Sequence, residues 1–108
     1  MSTARTLITL PNTATRGQII EIRVLIGHPM ETGYRNGADG QRLPRNVITR
    51  FICRYDGELV FSAALYPAIA ANPYLAFHTV AVQTGTLEFR WEGDNGFVHT
   101  EQARLTVV

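Results

Sequence analysis

The sequence contains no lysine, because all ten of its basic residues are arginine, and it contains a single cysteine, Cys53. Without lysine the chain cannot form a lysine Schiff base or the lysine-containing phosphate loop of nucleotide hydrolases. With one cysteine it cannot form an intrachain disulfide or a cysteine-rich zinc site. The net charge is only +1. The chain therefore lacks the basic bias of nucleic-acid-binding proteins, and we expect no nucleic-acid partner.

Long hydrophobic runs are also missing, since no apolar stretch approaches the roughly 18 residues of a membrane span, and we expect no membrane partner. Residues Met1–Leu10 do not show the basic and then apolar pattern of a secretory signal. Taken alone, this predicts a cytoplasmic protein. A protein that is exported together with a signal-bearing partner would show the same pattern. The missing signal therefore argues against independent export but leaves the final location open.

The residues that are present suffice for one domain. The chain has 108 residues, of which 45% are apolar and 18% charged. A chain of this length can bury about two-thirds of its unfolded surface without disulfides or a structural metal. We therefore predict that residues 1–108 form a single domain.

Apolar residues alternate with polar or charged ones along several segments. This period of two, typical of half-buried strands, occurs in Ile20–Ile26 and in Leu87–Trp91. A third strand is predicted at Val47–Tyr55, with one parity facing the core: Val47, Thr49, Phe51, Cys53 and Tyr55.

Turn sequences separate these segments. Asp56-Gly57, Asp94-Asn95-Gly96 and Gln83-Thr84-Gly85 are typical of tight hairpins. Further strands are predicted at Arg5–Leu10, Glu58–Leu65, Tyr74–Val82 and from the turn at Gly96 to Val108, whereas Thr13–Arg16 is predicted as a short turn. No stretch shows a sustained helical period. The predicted fold is all-β, a seven-stranded antiparallel immunoglobulin-like β-sandwich.

Two connections are longer than such a sandwich needs. His28–Pro44 is a loop of a length that is usually functional or disordered. Tyr66–Pro73 contains two prolines, which restrict the backbone, so we expect it to be stiff.

The sequence gives little support for an enzyme, and we predict no catalytic residue, no cofactor and no bound metal. Ser62, one of only two serines, lies in a predicted strand rather than in a nucleophile elbow. The histidines His28, His78 and His99 are not paired at metal-ligand spacing. His78 is interpreted as a structural strand residue, and His28 either as a functional residue of the long loop or as a residue that caps local backbone groups.

Cys53 is predicted to face the core, where a thiol behaves as a small hydrophobic group and burial raises its pKa. The alternative is an intermolecular disulfide or a redox role. The arginines also allow two interpretations. Arg50 and Arg54 share one strand face, while Arg35, Arg42 and Arg45 lie in and after the long loop, so they form either a protein-binding surface or an ordinary solvated face.

Several stretches together resemble the SoxZ family, the Z subunits of the bacterial sulfur-oxidation carrier complex. The similarity runs in order through nearly the whole chain, and its most specific stretches are HPMETG and ANPY. The matching residues are His28–Gly33, Pro44-Arg45, Ile48–Phe51, Tyr55–Glu58, Val60-Phe61, Pro67–Tyr74, Leu87–Phe89, Trp91 and Asp94–Gly96.

This resemblance implies a specific role. A SoxZ-type protein is a non-catalytic immunoglobulin-type sandwich that pairs with SoxY, whose flexible C-terminal arm carries sulfur intermediates covalently on a cysteine. The present sequence ends in Leu105–Val108 without such an arm, which favours the scaffold partner over the carrier. The resemblance further implies transient contacts with other Sox enzymes and a periplasmic location reached by export together with SoxY.

We predict that the two long connections form much of the surface for SoxY or the visiting enzymes, because the fold does not need them. The predicted interface residues are His28, Pro29, Met30, Glu31, Tyr34, Arg45, Asn72, Pro73 and Tyr74. One alternative is a metal or small-ligand site on His28, Glu31 and Asp39. Another is a homodimer that forms in the absence of SoxY.

Overall fold

The structure is a computed structural model that describes residues 4–66 and 70–108. It contains eight strands and one 3-10 turn: β1 Thr6–Thr9, β2 Thr13–Ala14, β3 Ile19–Ile26, β4 Ile48–Tyr55, β5 Glu58–Ala64, β6 Tyr74–Val80, β7 Gly85–Gly93, the turn Asp94–Gly96, and β8 Val98–Val107. None of the described residues forms a helix of the length and hydropathy that a membrane crossing needs.

The strands form two sheets, as predicted for a sandwich. One sheet has three strands in the order β1-β3-β6, and the other has five in the order β2-β8-β7-β4-β5. All pairs are antiparallel except β2 with β8, which run parallel. The all-β prediction is thus confirmed. The predicted number of seven strands was one too few, and the prediction that all strands pair antiparallel was wrong for β2 and β8.

That additional strand, β2, lies where a turn was predicted. Thr13 and Ala14 pair with Thr106 and Val107, so the chain passes from an edge of the three-stranded sheet to an edge of the five-stranded one. Ala14 is buried. A strand of two residues has no periodicity to detect, which explains why sequence reasoning missed it.

Strand β4 contains a β-bulge that alters one part of the predicted alternation. The register against β7 shifts between Ile48 and Arg50, and Val47 and Ile48 are both fully buried while Thr49 is half-buried. The extra residue of a bulge reverses the side-chain alternation. Assigning Thr49 to the core together with Val47 was therefore wrong, whereas Phe51, Cys53 and Tyr55 face the core as predicted.

The core lies between the two sheets and is joined by aromatic rings. Phe77 of β6 stacks on Phe61 of β5 with ring centroids 4.4 Å apart, and it lies 5.8 Å from Phe51 of β4. Trp91 of β7 continues this contact at 5.1 Å from Phe51. Because these rings come from both sheets, they bind the two layers together.

Part of the Tyr66–Pro73 connection lies outside the described ranges. Pro67, Ala68 and Ile69 lie outside the described residues, and with them the prediction that the Tyr66–Pro73 connection is stiff.

The molecule is elongated, with extents of 58 × 24 × 19 Å and a radius of gyration of 16.1 Å. About 13 Å is typical of a compact domain of this length.

Candidate partner-binding surface

The long connection after β3 forms an ordered hairpin, which we call the arm (residues 31–46). Two isolated β-bridges join its sides, Glu31 with Asn46 and Asn36 with Arg42. At its root, Glu31 and Asn46 exchange backbone N–H···O bonds of 2.8 and 2.7 Å. Each side of this hairpin can extend about 20 Å, and the longest strand spans about 33 Å.

Asp94, in the turn between β7 and β8, anchors the base of the arm. Its Oδ2 accepts hydrogen bonds from Arg45 Nε at 2.7 Å and from the Val47 backbone N–H at 3.1 Å, and its Oδ1 accepts one from Arg45 Nη2 at 3.3 Å. The Arg45 guanidinium holds the pKa of Asp94 below its ordinary value. A two-point contact of this kind restricts orientation as well as distance. Asp94 therefore fixes the direction in which the arm leaves the sandwich.

Gly93 permits this anchoring. A side chain there would place its Cβ 2.5 Å from the Val47 carbonyl oxygen and 3.0 Å from Ile48 Cα. Because backbone atoms cannot yield as a flexible side chain can, only glycine allows β7 to approach the start of β4, directly after the arm, so closely.

His28 and Met30 directly precede the arm, and both are buried. Met30 is buried with a positive φ of 49°, and its Sδ accepts a hydrogen bond from the Ile48 N–H at 3.2 Å. The buried His28 ring accepts the Met30 N–H at Nδ1 over 2.9 Å and packs edge-on against Phe97. Burial lowers the pKa of His28. His28 thus has the backbone-capping role that was one of its two interpretations.

Asn72 brings the second connection to the root of the arm. The His28 N–H donates to Asn72 Oδ1 at 3.0 Å, and the Asn72 N–H donates to the His28 carbonyl at 2.7 Å. Asn72 has a positive φ of 54°, which asparagine tolerates better than most residues. The two connections that the sequence singled out therefore meet at one end of the sandwich.

The nine predicted interface residues differ in exposure. His28, Met30 and Pro73 are buried, and Glu31 is half-buried and paired with Arg35. These buried side chains support the backbone under the surface, and a partner would not contact them directly. The exposed members are Pro29, Tyr34, Arg45, Asn72 and Tyr74.

The structure does not bring together the alternative metal ligands. His28 is buried against Phe97, Glu31 is bound by Arg35 at 2.6 Å, and Asp39 bonds the Gln41 N–H near the tip of the arm. Throughout residues 4–66 and 70–108, no three His, Cys, Asp or Glu residues are grouped so as to hold a metal ion. The ligand set proposed from the sequence was wrong, because the arm separates its members.

The arginine face predicted on β4 is balanced by carboxylates. Arg50 lies opposite Glu92 and Arg54 opposite Glu88 across the β4–β7 ladder, and Arg90 pairs with Glu92 at 2.6 Å. Opposite charges placed across strands stabilise a solvated sheet face. The outer face of the five-stranded sheet is thus a charged surface paired within the chain, which favours the solvated interpretation.

The remaining candidates have structural surroundings. Cys53 is fully buried, and burial raises its pKa to about 12. His99 is buried beside Trp91 and contacts Glu101 at 2.9 Å, whereas His78 is exposed on β6.

Sequence reasoning missed Asp94 as an anchor, because its Asp-Asn-Gly sequence indicated only a hairpin turn.

The family model described as sulphur oxidation protein SoxZ matches residues 8–104 of this chain. Among curated proteins, none matches the chain significantly by sequence.

Several solved structures share the fold. The sulfur carrier protein SoxY from Chlorobium limicola f thiosulfatophilum is 17% identical with a TM-score of 0.69, covering 99% of this chain and 81% of that one. A superoxide reductase (neelaredoxin) from Ignicoccus hospitalis is 18% identical with a TM-score of 0.69, covering 95% and 80%. A CARDB domain from Pyrococcus furiosus is 14% identical with a TM-score of 0.54, covering 95% and 94%. At these identities the similarity shows the fold, while function must be argued from the site.

Proposed function

Since this chain belongs to the SoxZ family of sulphur oxidation proteins, we propose that it is the non-catalytic scaffold subunit of a sulfur-carrier complex. In this role it binds SoxY, whose C-terminal cysteine-bearing segment carries the sulfur intermediates, and it helps the other Sox enzymes to dock. We further propose that this complex works in the periplasm.

The burial of Cys53 is the observation that carries the scaffold role. Covalent sulfur carriage needs a thiolate on a mobile segment that can enter enzyme active sites. The single cysteine of this sequence lies in the middle of β4, fully buried, with a pKa raised to about 12. A thiol held in this way cannot travel between enzymes, so a partner must supply the carrier thiol.

The arm and the Asn72–Tyr74 segment support a protein-binding role at one end of the sandwich. Tyr34 on the arm is 76% exposed and Tyr74 is 57% exposed. Aromatic side chains of this kind are enriched in protein interfaces, because they add contact area at a low cost in conformational entropy. We propose that this end contacts SoxY or the visiting enzymes.

Size-exclusion chromatography with light scattering tests the proposed function. The chain is analysed alone, with purified SoxY, and with SoxY that lacks its C-terminal cysteine-bearing segment. We expect a stable 1:1 heterodimer with either form of SoxY, because the scaffold holds the folded part of its partner. A strict monomer that is indifferent to SoxY would contradict the proposal.

The contribution of the arm is tested by Tyr34→Ala, with Leu59→Ala as a control at a similarly apolar, 57% exposed position on β5. We expect Tyr34→Ala to weaken binding of SoxY or to slow sulfur turnover by the Sox enzymes, and Leu59→Ala to do neither. Equal behaviour of the two variants in both assays would remove the arm from the proposed surface.

A further inference from the structure

The outward face of the three-stranded sheet carries two apolar rows. At one end, Leu7 of β1, Leu25 of β3 and Tyr74 of β6 lie side by side across all three strands. At the other end, Ile19 of β3 lies beside Val80 of β6. Leu7 is 62% exposed and Ile19 is 69% exposed. Neighbouring strands are about 4.8 Å apart, so each row is a continuous apolar strip.

The charges between these rows neutralise one another. Arg23 Nε contacts Glu21 Oε1 at 2.5 Å, and His78 Nε2 lies 3.7 Å from Glu21 Oε2. Between the rows the face therefore presents little unpaired charge that would oppose its burial under a partner. Arg5 is exposed at the edge of the Leu7 row and lines the groove beside it, so this edge carries a positive charge.

Charges are paired on both outer faces of the sandwich, and the two faces differ in the apolar rows that the three-stranded sheet carries. On the five-stranded sheet, Arg50, Arg54 and Arg90 alternate with glutamates across the ladder, which is typical of a surface that stays in water. Exposed apolar strips on one face of a small protein mark an interaction surface. If one sheet face is covered, the chemistry favours the three-stranded one.

We propose that this three-stranded face is the surface on which SoxY packs, sheet against sheet; the inference rests on the proposed function above. The SoxY structure shares the fold over 99% of this chain, so it has sheet faces that can stack on this one at about 10 Å. A face with two apolar rows, and with its central charges paired internally, suits such a partner better than it suits a charged peptide.

The size of the face indicates where the interface continues. The three strands have four, eight and seven residues. At about 3.3 Å per residue and about 4.8 Å between strands they present about 300 Å², whereas a stable interface buries about 800 Å² on each partner. A groove of about 310 Å³ beside Leu7 and Leu25 extends to Gly27 and Asn72, where the root of the arm begins. The interface therefore continues from the apolar rows along this groove to the arm.

Leu7→Arg tests the face, with Leu59→Arg as a matched control. Both leucines are exposed to a similar degree, 62% and 57%, but Leu59 lies on β5 of the other sheet. We expect Leu7→Arg to weaken SoxY binding by about thirtyfold or more, the loss expected when one buried leucine is replaced by a charge. Leu59→Arg should stay within about threefold of the wild type, a difference of well under one tenfold step in affinity. Affinities are measured by isothermal titration, and thermal unfolding followed by circular dichroism confirms that both variants fold.

The outcomes separate the two proposals. If the wild-type chain does not bind SoxY, the proposed function itself fails. If it binds but Leu7→Arg binds equally well, the proposed face is wrong while the proposed function stands. A wild-type homodimer that Leu7→Arg abolishes, with SoxY affinity unchanged, would likewise overturn this proposal by assigning the face to a second copy of the chain. A variant at Ile19, Ile19→Arg, repeats the test on the second apolar row and should also weaken SoxY binding.

Discussion

His28 is a buried residue whose neutral form the structure requires. Its Nδ1 accepts the Met30 N–H, which a protonated imidazole cannot do. The neighbouring Asp94 favours the proton, but burial has the larger effect and lowers the pKa of His28. At the scale of single residues, the root of the arm therefore depends on the protonation of one ring.

This dependence predicts how stability changes with pH. Because the pKa of His28 is below its ordinary 6.5 in the folded chain, the unfolded chain binds the proton more readily, and stability falls as the pH drops below about 6.5. One such group contributes at most about 1.4 kcal/mol per pH unit. Urea unfolding at pH 7.5, 6.5 and 5.5 measures the slope.

Two variants identify the responsible histidine. His28→Gln should be less stable at pH 7.5 but show a flatter slope, whereas His78→Gln, at an exposed position, should keep the wild-type slope. The carboxylates Asp94 and Glu31 have pKa values held low by their arginine partners, so their stabilising contributions are lost only at more acidic pH. A wild-type slope in His28→Gln would contradict this assignment.

Cys53 gives a second prediction at this scale. Its pKa is raised from 9.0 to about 12, so the thiolate fraction near pH 8 falls by about a thousandfold, and burial also blocks access. We expect iodoacetamide to label the native protein at least about a hundredfold more slowly than the protein in urea, as measured by mass spectrometry. Rapid labelling without denaturant would mean that β4 is open to solvent.

At the scale of elements, the arm is an appendage that depends on a few polar anchors. Its two sides bond to each other, but a two-stranded hairpin alone is only marginally stable. Asp94, Asn72 and the buried Met30 connect its root to three different parts of the sandwich. Loss of one anchor should loosen the arm without unfolding the core.

Limited proteolysis tests this anchoring. Trypsin can cut this chain only after arginine, since the sequence has no lysine, and Arg35, Arg42 and Arg45 lie in the arm. We expect Asp94→Ala to speed cleavage after Arg45 by about fivefold or more, because the variant loses three hydrogen bonds and one net hydrogen bond alone favours local closure by about fivefold. The control Asp39→Ala removes a carboxylate near the tip, where its Oδ1 accepts the Gln41 N–H, and cleavage after Arg45 should stay near the wild-type rate. Equal acceleration in both variants would show that Asp94 is not a specific anchor.

At the scale of the whole molecule, the two sheets are joined through Phe77, which contacts both Phe51 and Phe61. Removing a fully packed aromatic side chain leaves a cavity and costs about 3–5 kcal/mol. We expect Phe77→Ala to lower the free energy of unfolding by this amount in urea titrations. Val80→Ala, at a 46% exposed position of the same strand, should cost less than about 1 kcal/mol. A small effect of Phe77→Ala would mean that the sheets are held together elsewhere.

The sequence by itself determined the all-β fold and most of its strands, because alternating side chains must face either core or water and the turn residues mark where each strand ends. It also determined that Cys53 faces the core and that two connections exceed what the sandwich requires. These features depend on the pattern of residues that are close together in the chain, and this pattern is visible in the sequence itself.

Only the tertiary structure decided the rest. The β4 bulge, the two-residue strand β2 and the pairing of Asp94 with Arg45, 49 residues away, depend on which segments become neighbours. The same holds for the apolar rows, since Leu7, Leu25 and Tyr74 are far apart in the chain and join only through sheet register. Long-range pairing is set by the packing of the whole chain, and no local period of the sequence records it.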